Sequence, residues 1–341
     1  MLITNDHKYF NIIKIWILAS ISLIMLMIIV GGLTRLTDSG LSITEWNLFN
    51  GILPPITNLE WQYYFSLYKE IPQFKLINKD ISLQEFKVIF YWEYFHRLLG
   101  RVIGLFFALP LLLFTFKKIF NITDLIKLYS ILVLICFQGF LGWYMVQSGL
   151  TNNVTVSHYR LSIHLFLAFI LLSSLVWIFF NLINSTNKNF FYNFSRNKLI
   201  KFLIILIFSQ IIIGAFVSGL DAGRIYQTWP MMNESFFPND LKNEKIIHLF
   251  NFSNHSFVQF FHRTLAYIIF LASIIIGYNI FKNKITILYK SYLFFFIILL
   301  FQIFLGIVTL LSGLSIYLAS LHQISSILLI IFTLRLHYKS L

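Results

Sequence analysis

The chain of 341 residues holds one cysteine, Cys136, only 13 acidic side chains, and charged residues at just 11% of its length. A lone cysteine inside an apolar run excludes a disulfide framework and a thiolate metal site built within the chain. So few charges, beside 58% hydrophobic and 18% aromatic residues, exclude a soluble domain of this size. The net charge of +13 raises nucleic acid as a partner. The bases, however, fall in short clusters between apolar runs rather than on one solvated face, so no nucleic-acid partner is expected. What remains is a polytopic membrane protein.

Eight stretches are long enough to cross a hydrocarbon core, which takes roughly 20 apolar residues: 12–34, 87–116, 126–148, 158–183, 198–219, 256–281, 288–312 and 315–337. The first has no small-residue cleavage site and is read as a retained span rather than a signal peptide. Basic residues collect at one set of ends, among them Lys8, Lys14, Lys117, Lys118, Arg196, Lys201, Lys282 and Lys339. That asymmetry makes those ends, and with them both termini, cytoplasmic, and puts the long connections 36–86 and 220–255 outside.

The two long connections match. Asp38 corresponds to Asp221, Gly40 to Gly223, Trp46 to Trp229 and Pro55 to Pro238, at a constant offset of 183 (221 − 38). Gln138-Gly139-Phe140-Leu141-Gly142 corresponds to Gln302-Ile303-Phe304-Leu305-Gly306 at an offset of 164 (302 − 138). The expected fold is therefore all-α, eight transmembrane helices arranged as two pseudosymmetric four-helix bundles, with an N-terminal half over 1–190 and a C-terminal half over 191–341. An even number of spans per half makes the repeats parallel, related by an axis along the membrane normal.

Glu93-Tyr94-Phe95-His96-Arg97-Leu98-Leu99-Gly100-Arg101 lies at the mouth of the second span. Its repeat partner, Gln259-Phe260-Phe261-His262-Arg263, stands 166 residues on (262 − 96). In a helix Glu93, His96, Arg97 and Gly100 share a face. Ser82-Leu83-Gln84-Glu85 reads as a capping box, which starts this helix above the bilayer and carries Glu93 and His96 into its outer part. His164 and His322 lie at a similar depth on the fourth and eighth spans. Two neutral imidazoles on facing helices are what a low-spin heme iron takes as axial ligands. A small residue follows each histidine by one turn, Gly100, Ala168, Ala266 and Ser326. Arg97 and Arg263, with Arg35, Arg101 and Arg160, suit heme propionates, since guanidinium grips a carboxylate with two donors. His7, His158, His248, His255 and His337 are terminal or in connections and are read as solvated. Glycines 142, 214 and 306 are read as allowing close helix contact.

A carboxylate inside a membrane helix marks function by default. Glu93 has two readings, as a catalytic group and as the charge partner of Arg97. Gln259 in the matching position keeps the shape and loses the charge, which favours chemistry in the first half alone.

These motifs, together with Gly31-Gly32-Leu33-Thr34-Arg35-Leu36-Thr37, Ser39-Gly40-Leu41-Ser42-Ile43 and Leu305-Gly306-Ile307-Val308-Thr309, resemble the heme A synthase family of the Cox15/CtaA type over about 12–338. The missing loop cysteine pair places the chain with the cysteine-free branch. Ser157-His158 departs from the serine-proline expected at the start of the fourth helix. The resemblance implies an oxidoreductase of the bacterial inner membrane that oxidises the C8 methyl of heme O to a formyl group, with water-derived oxygen, to give heme A for cytochrome oxidase. It implies that His96 and His164 hold the substrate heme with Glu93 as the catalytic acidic residue, and that His262 and His322 ligate a heme b cofactor. Heme O, membrane lipid and a heme O synthase (protoheme farnesyltransferase) are the implied partners, and the resemblance leaves room for a homo-oligomer. A non-enzymatic bis-histidine diheme cytochrome exchanging electrons with quinone is the alternative, and a heme or small-molecule transporter a third reading.

Overall fold

The computed structural model describes residues 8–45, 50–150, 154–192, 198–242 and 251–341. His7, Trp46, Arg196 and His248 lie outside the described residues. Among the described residues eight helices are long and apolar enough to cross a membrane: α1 (Phe10–Leu36), α4 (Leu83–Phe116), α5 (Ile122–Leu150), α6 (His158–Ile183), α7 (Lys198–Gly219), α8 (His255–Lys282), α9 (Thr286–Leu311) and α10 (Ile316–Ser340). All eight expected spans are present, several a few residues longer than the apolar runs alone, because capped polar turns extend helices past the hydrocarbon. Two short helices, α2 (Asn58–Lys69) and α3 (Pro72–Leu76), lie in the first long connection.

The chain divides into two compact units, one of Asn11–Leu172 and one built on Ser173–Leu341. In the first unit Trp16 of α1 donates its indole N–H to the Phe106 carbonyl at 3.2 Å and packs its ring 4.9 Å from Phe107. Ser82 and Glu85 form the expected capping box, Ser82 N donating to Glu85 Oε2 at 2.8 Å, which starts α4 nearly four turns before His96. Thr57 and Glu60 cap α2 in the same way. Helix α2 lays Trp61 and Tyr68 against Phe86 and Phe90, all buried. The aromatic cluster thus ties the first long connection to the start of α4.

In the second unit α7 packs on α8, α8 on α9, α9 on α10 and α10 back on α7, closing a four-helix ring. The repeat is visible in backbone detail, for Asp38 and Asp221 both turn the chain with φ of 51° at the outer ends of α1 and α7. One expectation is corrected here. His337 is not solvated but fully buried, its Nε2 3.0 Å from the Phe190 carbonyl and its ring beside Trp177. Residues Phe180 to Phe190 fold back over the end of α10 and cover it, a contact that sequence position alone does not reveal.

Candidate functional site

Helix α4 presents Glu93, His96, Arg97 and Gly100 along one side, as the i, i+3, i+4 and i+7 spacing requires. Glu93 is 2% exposed, so its charge must be met by donors rather than by water. Arg97 donates to Oε1 through Nε at 3.0 Å and Nη2 at 2.5 Å. Ser42 Oγ at 2.7 Å and the Ile43 backbone N–H at 2.9 Å donate to Oε2. Arg97 Nη2 also donates to the Ile43 carbonyl at 2.9 Å. The Ser42-Ile43 stretch of the outer connection is thereby clamped to the helix at the level of the histidine.

The second unit builds the same clamp without the charge. Gln259 Nε2 and Arg263 Nη2 both donate to the Tyr226 carbonyl, at 2.8 and 2.7 Å, and Tyr226 is the repeat partner of Ile43. Where the first unit has Ser42, this one has Ile225, and among the described residues the buried Gln259 Oε1 has no partner. The serine hydroxyl therefore accompanies the carboxylate. Burial and a 2.5 Å bond to Asp240 push the Tyr226 phenol above its ordinary pKa, which keeps it protonated as a donor holding this loop.

Each of the four histidines faces a glycine on a neighbouring helix. A Cβ on Gly31 would lie 3.1 Å from His96 Nε2, one on Gly142 3.4 Å from His164 Cε1, one on Gly214 3.2 Å from His262 Cε1, and one on Gly306 2.9 Å from His322 Cε1. His96 and His164 lie within electrostatic range of each other in the first unit, as do His262 and His322 in the second. All four histidines are half-buried as residues. Sequence reasoning placed the histidines but read the glycines only as helix contacts. The signal for their role is the spacing Gln-x-x-x-Gly, present at 138–142, 210–214 and 302–306.

The arginines are tied to protein partners. Arg35 pairs with Asp38 at 2.9 Å, Arg160 donates to the Tyr144 carbonyl and lies over the Tyr144 ring, and Arg263 also donates to the Thr228 carbonyl. Arg97 and Arg101 line one cavity with Glu45, Tyr64, Phe90 and Tyr94. His255 is exposed at the start of α8, and His158 is half-buried beside Tyr159 at the start of α6. Cys136 is unpaired and exposed on α5.

The donor set fits a heme better than a bare ion. Among the described residues no group of three or more His, Cys, Asp or Glu side chains is arranged to hold a metal ion. Paired imidazoles supply the two axial positions that a porphyrin leaves open. Among the described residues the buried Nδ1 atoms of His164 and His262 have no hydrogen-bond partner.

Residues 14–334 match the family model COX15-CtaA, described as cytochrome oxidase assembly protein. A relative from Pelagibacter ubique, named heme A synthase, is 51% identical over 338 residues, 98% of each chain. One from Rickettsia prowazekii with the same name is 40% identical, covering 94% of this chain and 95% of its own. A third, also named heme A synthase, from Flavobacterium psychrophilum, is 40% identical over 93% of this chain and 94% of its own.

Proposed function

Because the chain belongs to the COX15-CtaA family of cytochrome oxidase assembly proteins, we propose that it is a heme A synthase, an oxidoreductase that turns the C8 methyl of heme O into a formyl group. The observation that carries this reading is the asymmetry of two otherwise matching histidine sites. One has a buried glutamate held by Ser42, Ile43 and Arg97, and the other has Gln259 in its place. A pure electron carrier needs no acid in one half. The diheme cytochrome and the transporter find no support in the names of the relatives.

In this reading the half over 1–190 is the substrate half, where His96 and His164 hold heme O by its iron. The half over 191–341 holds heme b through His262 and His322. When bound, heme b supplies a reversible one-electron couple. Arg97 and Arg263 meet the propionates, the five donors of a guanidinium serving loop carbonyls and carboxylates together.

The overall change is balanced as methyl plus water giving formyl plus four electrons and four protons. It passes through an alcohol and a geminal diol that loses water. Each oxidation builds positive charge on the reacting carbon. Four donors, two from Arg97 and one each from Ser42 and the Ile43 backbone, meet the Glu93 carboxylate oxygens, an arrangement that suits a fixed negative group better than a proton acceptor. Its exclusion from water strengthens its field at that carbon. In this reading both termini lie on the cytoplasmic side of a bacterial inner membrane and the two sites near its outer face, which the basic clusters at one set of helix ends support.

The test is mass analysis of hemes extracted from the purified chain expressed in cells that make heme O. Heme O, its hydroxylated form or the formyl product, together with heme b, is expected. Heme b alone would point to the diheme cytochrome and overturn the proposal.

A further inference from the structure

Three of the four helices that face a histidine carry the same two-residue device, and the fourth departs from it. Gln138 precedes Gly142, Gln210 precedes Gly214 and Gln302 precedes Gly306, each by four residues, and the fourth member is Met27 before Gly31. Residues four apart share a helix face, so whatever stands at the first position reaches the histidine that the glycine admits. Gln138 Nε2 donates to the His164 carbonyl at 2.8 Å, Gln210 Nε2 to the His262 carbonyl at 3.0 Å, and Gln302 Nε2 to the His322 carbonyl at 3.0 Å. The same amides lie 3.3 Å from His262 Nε2 and from His322 Nδ1.

We propose that Gln138, Gln210 and Gln302 are positioning residues that lock three of the four imidazoles, and that Met27 leaves His96 unlocked, making His96 the ligand that lets one heme exchange. The inference rests on the reading of the histidines as axial ligands. An imidazole that gives Nε2 to iron carries its proton on Nδ1, and a buried N–H needs an acceptor. His164 Nδ1 and Gln138 Oε1 are both buried without partners, and so are His262 Nδ1 and Gln210 Oε1. An orphan donor and an orphan acceptor thus sit on residues already bonded to each other. In the proposed ligated state the imidazole turns about its own terminal torsion until Nδ1–H meets that Oε1, while the glutamine amide keeps its donation to the histidine carbonyl. For His322 the acceptor is in place, the Gln302 carbonyl lying 3.1 Å from Nδ1, while Gln302 Oε1 is held by Ser325.

Met27 offers none of this. Its methyl lies 3.4 Å from where a Cβ on Gly100 would stand, in the space one turn below His96. A thioether has no N–H and accepts only weakly. Among the described residues nothing hydrogen-bonds the His96 imidazole. The locked pair His262 and His322 suits a resident cofactor. A pair with one unlocked member suits a heme that must arrive and depart.

The experiment uses the full chain with its hemes in lipid nanodiscs, mixed with excess apomyoglobin as heme acceptor, and identifies each transferred heme by mass. In the wild type the substrate-class heme should leave first and heme b should stay. Met27→Gln should slow that departure about tenfold, the worth of one added hydrogen bond. Met27→Leu, which keeps the volume and adds no amide, should leave the rate as it is. Gln210→Met should speed heme b loss about tenfold and raise its reduction potential, because an imidazole without its Nδ1 acceptor is a weaker donor to iron. Gln210→Leu provides the same test should Gln210→Met not fold. Departure unchanged in Met27→Gln, or heme b rate and potential unchanged in the glutamine variants, would overturn the inference. Full heme b in His262→Ala would instead refute the ligand assignment beneath it.

Discussion

Replacing each glycine opposite a histidine by alanine tests whether those four contacts define heme sites. At Gly306 the added methyl would stand 2.9 Å from His322 Cε1 and 3.4 Å from Nδ1, closer than side-chain carbons tolerate. Gly31 and Gly214 are next, at 3.1 Å from His96 and 3.2 Å from His262, and Gly142 is mildest at 3.4 Å from His164. Alanine improves a helix interior by about 1 kcal/mol over glycine, so the fold should hold while the ring is displaced. A displaced ring still tied to its own backbone must leave its rotamer or move off the iron, at about 1–3 kcal/mol. That corresponds to a loss of heme affinity of roughly 5- to 150-fold. Heme retained per purified protein should therefore fall most in Gly306→Ala, less in Gly31→Ala and Gly214→Ala, and least in Gly142→Ala, with helical circular dichroism unchanged. Equal retention in all four, or a Gly142→Ala more damaged than Gly306→Ala, would refute the reasoning.

His262→Ala and His322→Ala should each abolish the heme b spectrum and lower substrate oxidation, whereas His158→Ala should change neither; difference spectra of purified variants decide. Glu93→Gln copies the second half and should keep bis-histidine spectra while cutting formyl product about 100-fold, with heme O or its alcohol accumulating. Because Arg97 then loses its charge partner, the variant is compared at matched folded protein, and wild-type turnover would reduce Glu93 to a partner for Arg97. A reporter active only outside the cytoplasm, fused after Leu341, should stay silent, and activity there would reverse the topology.

Much of the fold was legible because a bilayer demands long apolar helices, and all eight appear among the described residues. The repeat was legible because paired residues keep constant offsets, and Asp38 and Asp221 share a left-handed turn. The capping box at Ser82 followed from local chemistry alone. The Ser42 hydroxyl on Glu93 was hidden, since it comes from a residue 51 positions away in an outer connection. The glycine contacts with the histidines were equally hidden, because a glycine in an apolar helix is silent until the facing side chain is known. His337 was misread for the same reason, its cover being Phe190 and Trp177 from distant parts of the chain.

The most direct measurement expresses the chain in cells that make heme O but lack their own heme A synthase, with extraction and mass analysis of total heme. Heme A should appear with the wild-type chain and be missing with His96→Ala at matched protein level. Heme O left unchanged by the folded, heme b-loaded wild-type chain would contradict the account.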